Sequence, residues 1–529
     1  MFKGGFRFIE SAIQWLLCLL AVLSTIITVF PHVNDPLIVG RWVGAGFSLV
    51  SLMAYMLVSC ILYFCGFKSG TSLQTLANQL CIALGVMGPF VAVWGLLQFL
   101  GVVGVPPGVP FRVVAGFDNP AGLSTALAVS FPFAAMKLKA TGKCRFFLPA
   151  IFIFYEVVIL AAQSRTGVLA LAFCYMSVMI CRAKKVSFKV LPVLLLSLIP
   201  VAVFSMIKTG SNAGRSFILK VCMRMVKEHP LLGFGVHGFR ENYMLYQAEH
   251  LKLPEFQDVS FLADNVTHPL NEYILLLVNF GIAGFSVMIL LVVLLARFCF
   301  NSSKNAKTLS CSLFVCVAVL SLLSYPFKYP ITVLALLVCC GQCLLERNVS
   351  DNIRTAKCAI VVAVLLSLAM VSAFVPWAQR QIEWGKSSCL PQDERVSKYE
   401  GMYDIMKHDP YFVYDYSCLS FDNGNYSKAT DLALQSFSLY PNYQTALLLA
   451  DSYLKQNDFV NSEIFYKLAS DMCPAKFIPL YGLFELYDLS GKKQERDRVG
   501  REILTRPMKV NSKEVRQIRQ AVRQRMVDI

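Results

Sequence analysis

The chain of 529 residues is 56% hydrophobic and only 16% charged, and its mean hydropathy is +0.56. A soluble globular protein carries about 25% charged residues, so this composition excludes a wholly soluble protein. The formal net charge is +16, yet residues 377–529 are nearly balanced, with 21 basic and 20 acidic side chains. The basic excess therefore lies in the apolar residues 1–376, which is typical of a membrane protein and not of a nucleic-acid-binding domain.

Hydrophobic runs predict the membrane spans, because a helix needs about 17–25 residues to cross a bilayer. Eleven runs approach or exceed this length: residues 9–30, 43–66, 78–103, 121–137, 146–163, 166–181, 190–207, 269–296, 309–325, 329–345 and 358–376. The predicted fold class is therefore all-α, a polytopic membrane protein with about 11 transmembrane helices.

Basic residues in the connections predict the orientation of these spans. With the N-terminus in the cytoplasm, the inside loops hold 17 Lys and Arg residues, whereas the short outside connections hold only Arg41, Arg112, Arg165 and Lys328. A long loop, 208–268, and the whole region after Trp377 then lie outside. In a bacterium, this orientation corresponds to the inner (cytoplasmic) membrane, with both segments in the periplasm.

Residues 377–529 have the pattern of a helical repeat array. Four prolines recur at intervals of 31, 33 and 33 residues: Pro410, Pro441, Pro474 and Pro507. Between them lie patterns of paired helices, such as Tyr443–Lys455 followed by Asp458–Met472. A period near 34 resembles tetratricopeptide repeats, which are binding surfaces. We therefore predict two domains, a membrane domain at 1–376 that includes the loop 208–268, and a periplasmic repeat domain at 377–529 that binds an envelope protein partner.

Arg165 is the first candidate for chemistry, since a charge near lipid is costly and often functional. It lies between two hydrophobic runs in the sequence Gln163–Gly167. In a partly dehydrated setting, a guanidinium binds phosphate with two parallel hydrogen bonds. An arginine that merely caps a helix end and extends toward water explains the same position equally well.

The long outside loop contains a predicted amphipathic helix, Ser216–Glu228. Lys220, Arg224 and Lys227 fall on one face of it, opposite apolar residues. This pattern indicates a helix that lies on the membrane surface, with its basic face toward anionic lipid headgroups. Arg215 precedes the helix and lies off that face, so it is a candidate for the site itself.

His268 is a candidate general base, because imidazole exchanges protons near neutral pH. It lies in the segment Asn265–Tyr273, where the chain re-enters the membrane. A lone histidine is more often a hydrogen-bonded structural residue. No metal cluster or pair of carboxylates for a divalent cation is visible, so we expect neither a metal nor a cofactor.

Five pieces of the sequence together resemble the O-antigen ligase superfamily, which includes bacterial O-oligosaccharyltransferases and is related to O-antigen polymerases. They are the turn Gly116–Pro120, the motif Ser164–Gly167, Arg215, the run His229–Gly235, and His268 with Asn271–Tyr273 followed by Gly281–Gly284. The resemblance is strongest over about 110–290. The chain departs from the family in two ways. Family members often have His directly before the Asn, where this chain has Leu270, and usually have twelve spans.

This resemblance implies a metal-independent membrane glycosyltransferase that takes a glycan from a polyprenyl-diphosphate donor. The acceptor would be a hydroxyl group of a lipid or a protein. Arg165 and Arg215 would offset the charge of the diphosphate leaving group, and His268 would be the general base, with His237 or Glu272 as the next candidates. The residues expected to bind substrate are Asn119, Asn271, Glu272, Lys220 and Arg224.

Two other functions compete with a ligase or O-oligosaccharyltransferase. A polymerase would use the same donor but join two lipid-linked repeat units. A transporter or scaffold would use the repeats to recruit envelope proteins, but transporters favour ionisable residues near the middle of the membrane. If the repeats only recruit acceptors, truncation after about residue 380 should leave transfer to a small soluble acceptor.

Overall fold

The computed structural model describes residues 2–64, 73–140, 144–182, 209–253, 260–346, 353–509 and 512–527, with a few isolated positions between 197 and 203. Throughout these ranges the regular structure is helical. The chain divides into two compact units. The membrane unit comprises Met1–Ile207 and Met288–Lys386, and the repeat unit comprises Lys208–Val287 and Ser387–Ile529.

The membrane unit is built from long apolar helices. They are α1 (Phe2–Leu23), α2 (Val39–Phe64), α3 (Leu73–Phe99), α4 (Pro120–Ala140), α5 (Cys144–Ala161), α6 (Arg165–Arg182), the later part of α9 (Glu272–Phe300), α10 (Lys304–Leu323), α11 (Pro330–Leu345) and most of α12 (Ile353–Ser387). A core of apolar side chains from α3, α4, α5, α6, α10 and α11 holds the unit together. Gly85 of α3 permits close contact with α4, since a Cβ there would lie 3.0 Å from the backbone nitrogen of Ala134.

Nine of the predicted spans coincide with apolar helices in the described residues. Five of these helices are long and apolar enough to cross a membrane: Val39–Ser59, Leu73–Phe99, Arg165–Arg182, Glu272–Phe300 and Lys304–Leu323. The four shorter apolar helices are Ile9–Leu23, Pro120–Met136, Phe147–Ala161 and Pro330–Leu345. The predicted span 358–376 falls within α12, and the span 190–207 lies mostly outside the described residues. The chain is thus an all-helical, multi-pass membrane protein.

The repeat unit combines the long loop with the C-terminal helices. The loop contributes α7 (Thr209–Glu228) and α8 (Gly238–Leu251), and the start of α9 belongs to the same unit. The remaining helices are α13 (Gln392–Met406), α14 (Pro410–Asp422), α15 (Tyr426–Leu439), α16 (Tyr443–Lys455), α17 (Phe459–Met472), α18 (Ile478–Leu489), α19 (Lys493–Thr505) and α20 (Lys513–Val527). The loop, predicted as part of the membrane domain, therefore packs with the repeats.

Helix caps recur with the period of the repeats. Asp409 caps α14 and Asn442, 33 residues later, caps α16. Asn425 and Asp458 cap α15 and α17 at the same interval. Each side-chain oxygen accepts a hydrogen bond from a backbone N–H of the first turn, which an uncapped helix leaves unpaired. The caps explain why the helix pair Tyr443–Lys455 and Phe459–Met472 agrees with the sequence prediction.

A shared core joins the loop helices to the repeats. Most of its buried residues come from α7, α8, α16 and α17, and they include Phe217, Val221, Met225, Tyr243, Met244, Tyr443, Ala446, Ala469 and Met472. The buried amide nitrogen of Gln247 donates to the backbone oxygen of Met472 at 2.7 Å. The apolar face of α7, predicted to lie on the membrane surface, is thus buried within the protein.

Candidate active site

Asn119 begins the polar cluster of the membrane unit at the start of α4. Its side-chain oxygen accepts hydrogen bonds from the backbone N–H groups of Ala121 at 2.8 Å and Gly122 at 3.2 Å. Its amide nitrogen donates to Asp118 at 2.9 Å and to the hydroxyl oxygen of Tyr325 at 2.8 Å. An asparagine side chain can make about four hydrogen bonds. The amide of Asn119, predicted to bind substrate, is therefore fully engaged within the unit.

Asp118 completes this cluster as an acceptor. It accepts hydrogen bonds from the hydroxyl of Tyr329 at 2.9 Å and from the amine of Lys328 at 3.1 Å, besides the amide of Asn119. Burial alone would lower the pKa of Lys328, but the charge of Asp118 and the neighbouring Tyr325 raise it above the ordinary value for lysine. Three donors thus share one carboxylate, and the amine stays charged.

Arg41 is the third charged residue near this cluster and is fully buried. Its guanidinium lies 4.4 Å from the centre of the Phe117 ring and donates to the backbone oxygen of Gly116. Two of its nitrogens, Nε and Nη1, are buried with no hydrogen-bond partner among the described residues. The position of the guanidinium over the Phe117 ring stabilises the buried cation.

Arg165 is the first residue of α6, and the rest of its motif holds it in place. The hydroxyl of the buried Ser164 hydrogen-bonds that of Ser124 at 2.9 Å and accepts the backbone N–H of Gly167 at 3.3 Å. A Cβ on Gly167 would lie 2.3 Å from the Cβ of Ser124, so only glycine allows this contact between α4 and α6. Ser164 and Gly167 thus have packing roles. Arg165 is half-buried and is the charged residue of the motif.

Gly233 and Gly281 allow the loop segment 230–235 to cross α9 at a break in that helix. Gly281 interrupts the helix with φ 60° and ψ −162°, and Gly233 also has a positive φ, 66°. The backbone N–H groups of Phe234 and Ile282 donate across the crossing to the oxygens of Val278 at 3.0 Å and Pro230 at 2.9 Å. Side chains at either glycine would collide with the opposite backbone. Both glycine motifs of the sequence therefore have a structural role in a single crossing.

Asn279 fixes the same crossing from within α9. Its side-chain oxygen accepts the backbone N–H of Phe239 at 2.9 Å, and its amide donates to the oxygen of Val236 at 3.0 Å. Sequence reasoning missed this residue. The available signal was a single polar side chain within the apolar run Ile274–Phe280.

The basic residues of α7 differ in their surroundings. Arg215 and Lys220 are exposed. Arg215 lies in the second turn of α7 and not at its start, because the helix begins at Thr209. Arg224 forms ion pairs with Glu228 at 3.3 Å and Glu249 at 3.4 Å. Two carboxylates thus already contact Arg224, which was predicted to bind substrate.

His268 and Glu272 form a pair at the start of α9. The imidazole Nε2 lies 3.6 Å from a carboxylate oxygen of Glu272, and both side chains are about one-fifth exposed, at 21% and 17%. The backbone N–H of Leu270 donates to Nδ1 of His268 at 2.9 Å. Asn271 caps α9, since its side-chain oxygen accepts the N–H of Ile274 at 3.0 Å.

The structure thus places the predicted site residues in two groups. Asn119 and Arg165 belong to the membrane unit, and Arg215, Lys220, Arg224, His268, Asn271 and Glu272 belong to the repeat unit. Within the described ranges, no group of three or more His, Cys, Asp or Glu side chains is arranged to hold a metal ion. Sequence reasoning missed the roles of Arg41, Asp118 and Lys328. Two of these were visible as rare charges in the outside connections.

The fold defines a multi-pass helical membrane protein with an additional helical repeat unit. Residues 149–289 match the family model of the O-antigen ligase, so the chain carries an O-antigen ligase family domain over that range. The match includes Arg165, Arg215, His268 and Glu272, and it leaves out Asn119 and the repeats. It supports a membrane enzyme of the ligase or polymerase kind, which transfers glycans.

The other comparisons add little to this assignment. A search of curated proteins found no significant match. Among solved structures, the yeast protein Tom70 is 12% identical, and the alignment covers 85% of this chain and 97% of that chain with a TM-score of 0.25. A TM-score this low carries no conclusion about fold or function.

Proposed function

We propose that the protein transfers a glycan from a polyprenyl-diphosphate donor to a hydroxyl group of a lipid or protein acceptor. The observation that carries this proposal is the O-antigen ligase match at 149–289, which includes both candidate arginines and the His268–Glu272 pair. The bacterial inner membrane is the proposed location, with the N-terminus in the cytoplasm and the repeat unit in the periplasm. A C-terminal reporter enzyme that is active only in the periplasm should test this orientation.

The leaving group in this reaction is a polyprenyl diphosphate, whose charge grows as the glycosidic bond breaks. Donors aimed at such a developing charge lower the barrier, and arginine suits phosphate oxygens because of its planar fork. Arg165 at the N-terminus of α6 and Arg215 on α7 are each proposed for this role. Because Arg165 is at the N-terminus of α6, the partial positive charge of the helix dipole adds to its attraction for the diphosphate. Direct attack at the anomeric carbon would invert its configuration.

The acceptor hydroxyl is a weak nucleophile and must lose its proton as the new bond forms. General-base assistance is worth about 10²–10⁴-fold in rate. The His268–Glu272 pair is proposed to provide it. The proposal needs no metal, so transfer should continue in chelator, and a loss restored by magnesium or manganese would contradict it.

The test is a transfer assay with purified protein, a lipid-linked glycan and three kinds of acceptor. Transfer to a lipid or protein hydroxyl supports the proposal, whereas joining of two lipid-linked glycans indicates a polymerase. Absence of both reactions, together with transport of the lipid-linked glycan, would indicate a transporter.

Matched variants test whether Arg165 and Arg215 take part in the transfer reaction. Arg165→Lys keeps the charge but loses the fork, and should lower the transfer rate at least about tenfold. Arg112→Lys is its control, because Arg112 is exposed and donates to the backbone oxygen of Phe99. Arg215→Ala should act like Arg165→Lys, and Lys227→Ala on the same helix is its control. Equal activity of a variant and its control would remove that arginine from the mechanism.

A further inference from the structure

The hydrogen bond from Leu270 to His268 decides which imidazole nitrogen carries a proton. The backbone N–H of Leu270 is a donor, and it points at Nδ1 from 2.9 Å. A neutral imidazole has one acceptor nitrogen and one N–H donor. Since Nδ1 accepts, the ring proton lies on Nε2, which is the nitrogen that faces Glu272 at 3.6 Å.

Glu272 is the acceptor in this pair. An ionised carboxylate has about four lone-pair positions and no proton to donate. Apart from His268, Glu272 has no hydrogen bond or ion pair with any residue that the structure describes. Its side chain is also 17% exposed, so a small polar group can reach the unused oxygen positions.

The backbone between the two residues is built to hold this arrangement. Leu270 has φ 58°, a left-handed conformation that is strained for a bulky residue and persists only where neighbours enforce it. The backbone oxygen of Asn271 accepts the N–H of Leu275 at 3.0 Å, and its side chain caps α9. The turn directs the Leu270 N–H at His268 and leaves Glu272 as the first residue of α9.

We propose that Glu272, and not His268, accepts the proton of the acceptor hydroxyl, and that His268 is a positioning residue. This inference rests on the proposed glycan transfer. In the step, the hydroxyl oxygen bonds to the anomeric carbon while its proton moves to the Glu272 carboxylate. The bond from that carbon to the diphosphate oxygen breaks, and its electron pair leaves with the polyprenyl diphosphate. His268 donates from Nε2 to the carboxylate and fixes its orientation.

Glutamine substitutions separate the two roles. The amide nitrogen of Gln can take the place of Nε2 and still donate to Glu272, but an amide cannot act as a base. His268→Gln should therefore keep kcat within about tenfold of the wild type, while His268→Ala should fall further because the carboxylate loses its donor. Glu272→Gln should lower kcat by at least about 10²-fold, the usual range for a lost general base. The KM for the donor should change little in all three.

The comparison of His268→Gln with His268→Ala decides the question even if Glu272→Gln does not fold. Glu272→Asp then serves as the conservative variant and should retain part of the rate. If His268→Gln is as slow as His268→Ala, or if Glu272→Gln keeps the wild-type rate, the inference is wrong. If the folded wild-type protein transfers glycan to no hydroxyl acceptor, the proposed function itself fails.

Discussion

Asp118 in the membrane unit and Glu272 in the repeat unit both stand next to a helix N-terminus, yet their surroundings are opposite. Asp118 accepts hydrogen bonds from Asn119, Lys328 and Tyr329. Among the described residues, the one polar partner of Glu272 is the imidazole of His268, at 3.6 Å. A carboxylate that accepts from three donors stabilises structure, whereas one with mostly open lone pairs can take a proton. The contrast separates an acid that holds a fold together from an acid available for chemistry.

The largest expected effect concerns the repeats, which support the part of the chain that holds Glu272. Truncation after residue 386 removes Tyr443, Ala446 and Met472 from the shared core and the partner of Gln247. We therefore expect loss of all transfer, even to a small soluble acceptor, and rapid proteolysis within 209–253. This replaces the expectation from sequence that such a truncation stays active.

Truncation after residue 509 is the matched control, because it removes only the region of α20. That helix contributes Ile518 and Val522 to a separate core at the end of the array. The protein truncated after residue 509 should keep its transfer activity. Full activity of the protein cut at 386 would show that the loop folds without the repeats.

The second prediction concerns the crossing at Gly233 and Gly281, in the same unit as the His268–Glu272 pair. Gly281→Ala would place a Cβ 2.4 Å from the backbone of Leu231 in a conformation that favours glycine. Strain and overpacking together should destabilise the repeat unit by about 2–5 kcal/mol. Gly235→Ala has a positive φ but no neighbour within 4 Å, so it should cost only about 1 kcal/mol. Denaturant unfolding of the two variants measures the difference, and equal costs would contradict the crossing.

The third prediction tests the comparison of the two acids directly. Asp118→Asn leaves Lys328 without its ion pair and should lower the free energy of unfolding by about 1–3 kcal/mol. Its transfer rate per folded molecule should stay near that of the wild type. Glu272→Gln should show the reverse, a lost rate with little change in stability. A slow but stable Asp118→Asn protein would place Asp118 in the reaction.

The sequence predicted those features that depend on local pattern. Nine apolar helices followed from hydropathy, and the pair α16 and α17 followed from the spacing of proline residues. The contact of Asp118 with Lys328 joins residues 210 positions apart, and that of Gln247 with Met472 joins residues 225 apart. Such contacts leave no periodic trace in one sequence. The role of His268 also depends on the turn at Leu270. This turn could not be predicted from the sequence, because a leucine ordinarily has a negative φ.

The smallest expected effect is the pH dependence of the repeats. Burial alone would raise the pKa of Glu463, but hydrogen bonds from Lys467, Tyr487 and Lys492 lower it from 4.5 to about 2. The carboxylate therefore stabilises the fold fully above pH 4.5, and this contribution is lost as the pH falls toward 2. Because both lysines are about half exposed, solvent screening limits the contribution to about 1 kcal/mol.

Glu463→Gln should remove this contribution. The difference in unfolding free energy between the wild type and this variant should be largest near pH 6 and shrink as the pH falls below 4.5. Lys492→Met removes one of the three donors and should lose only part of the pH dependence. Urea unfolding of the full-length protein at several pH values measures these differences. A constant difference from pH 6 to pH 3 would show that the three donors do not act on the charge of Glu463.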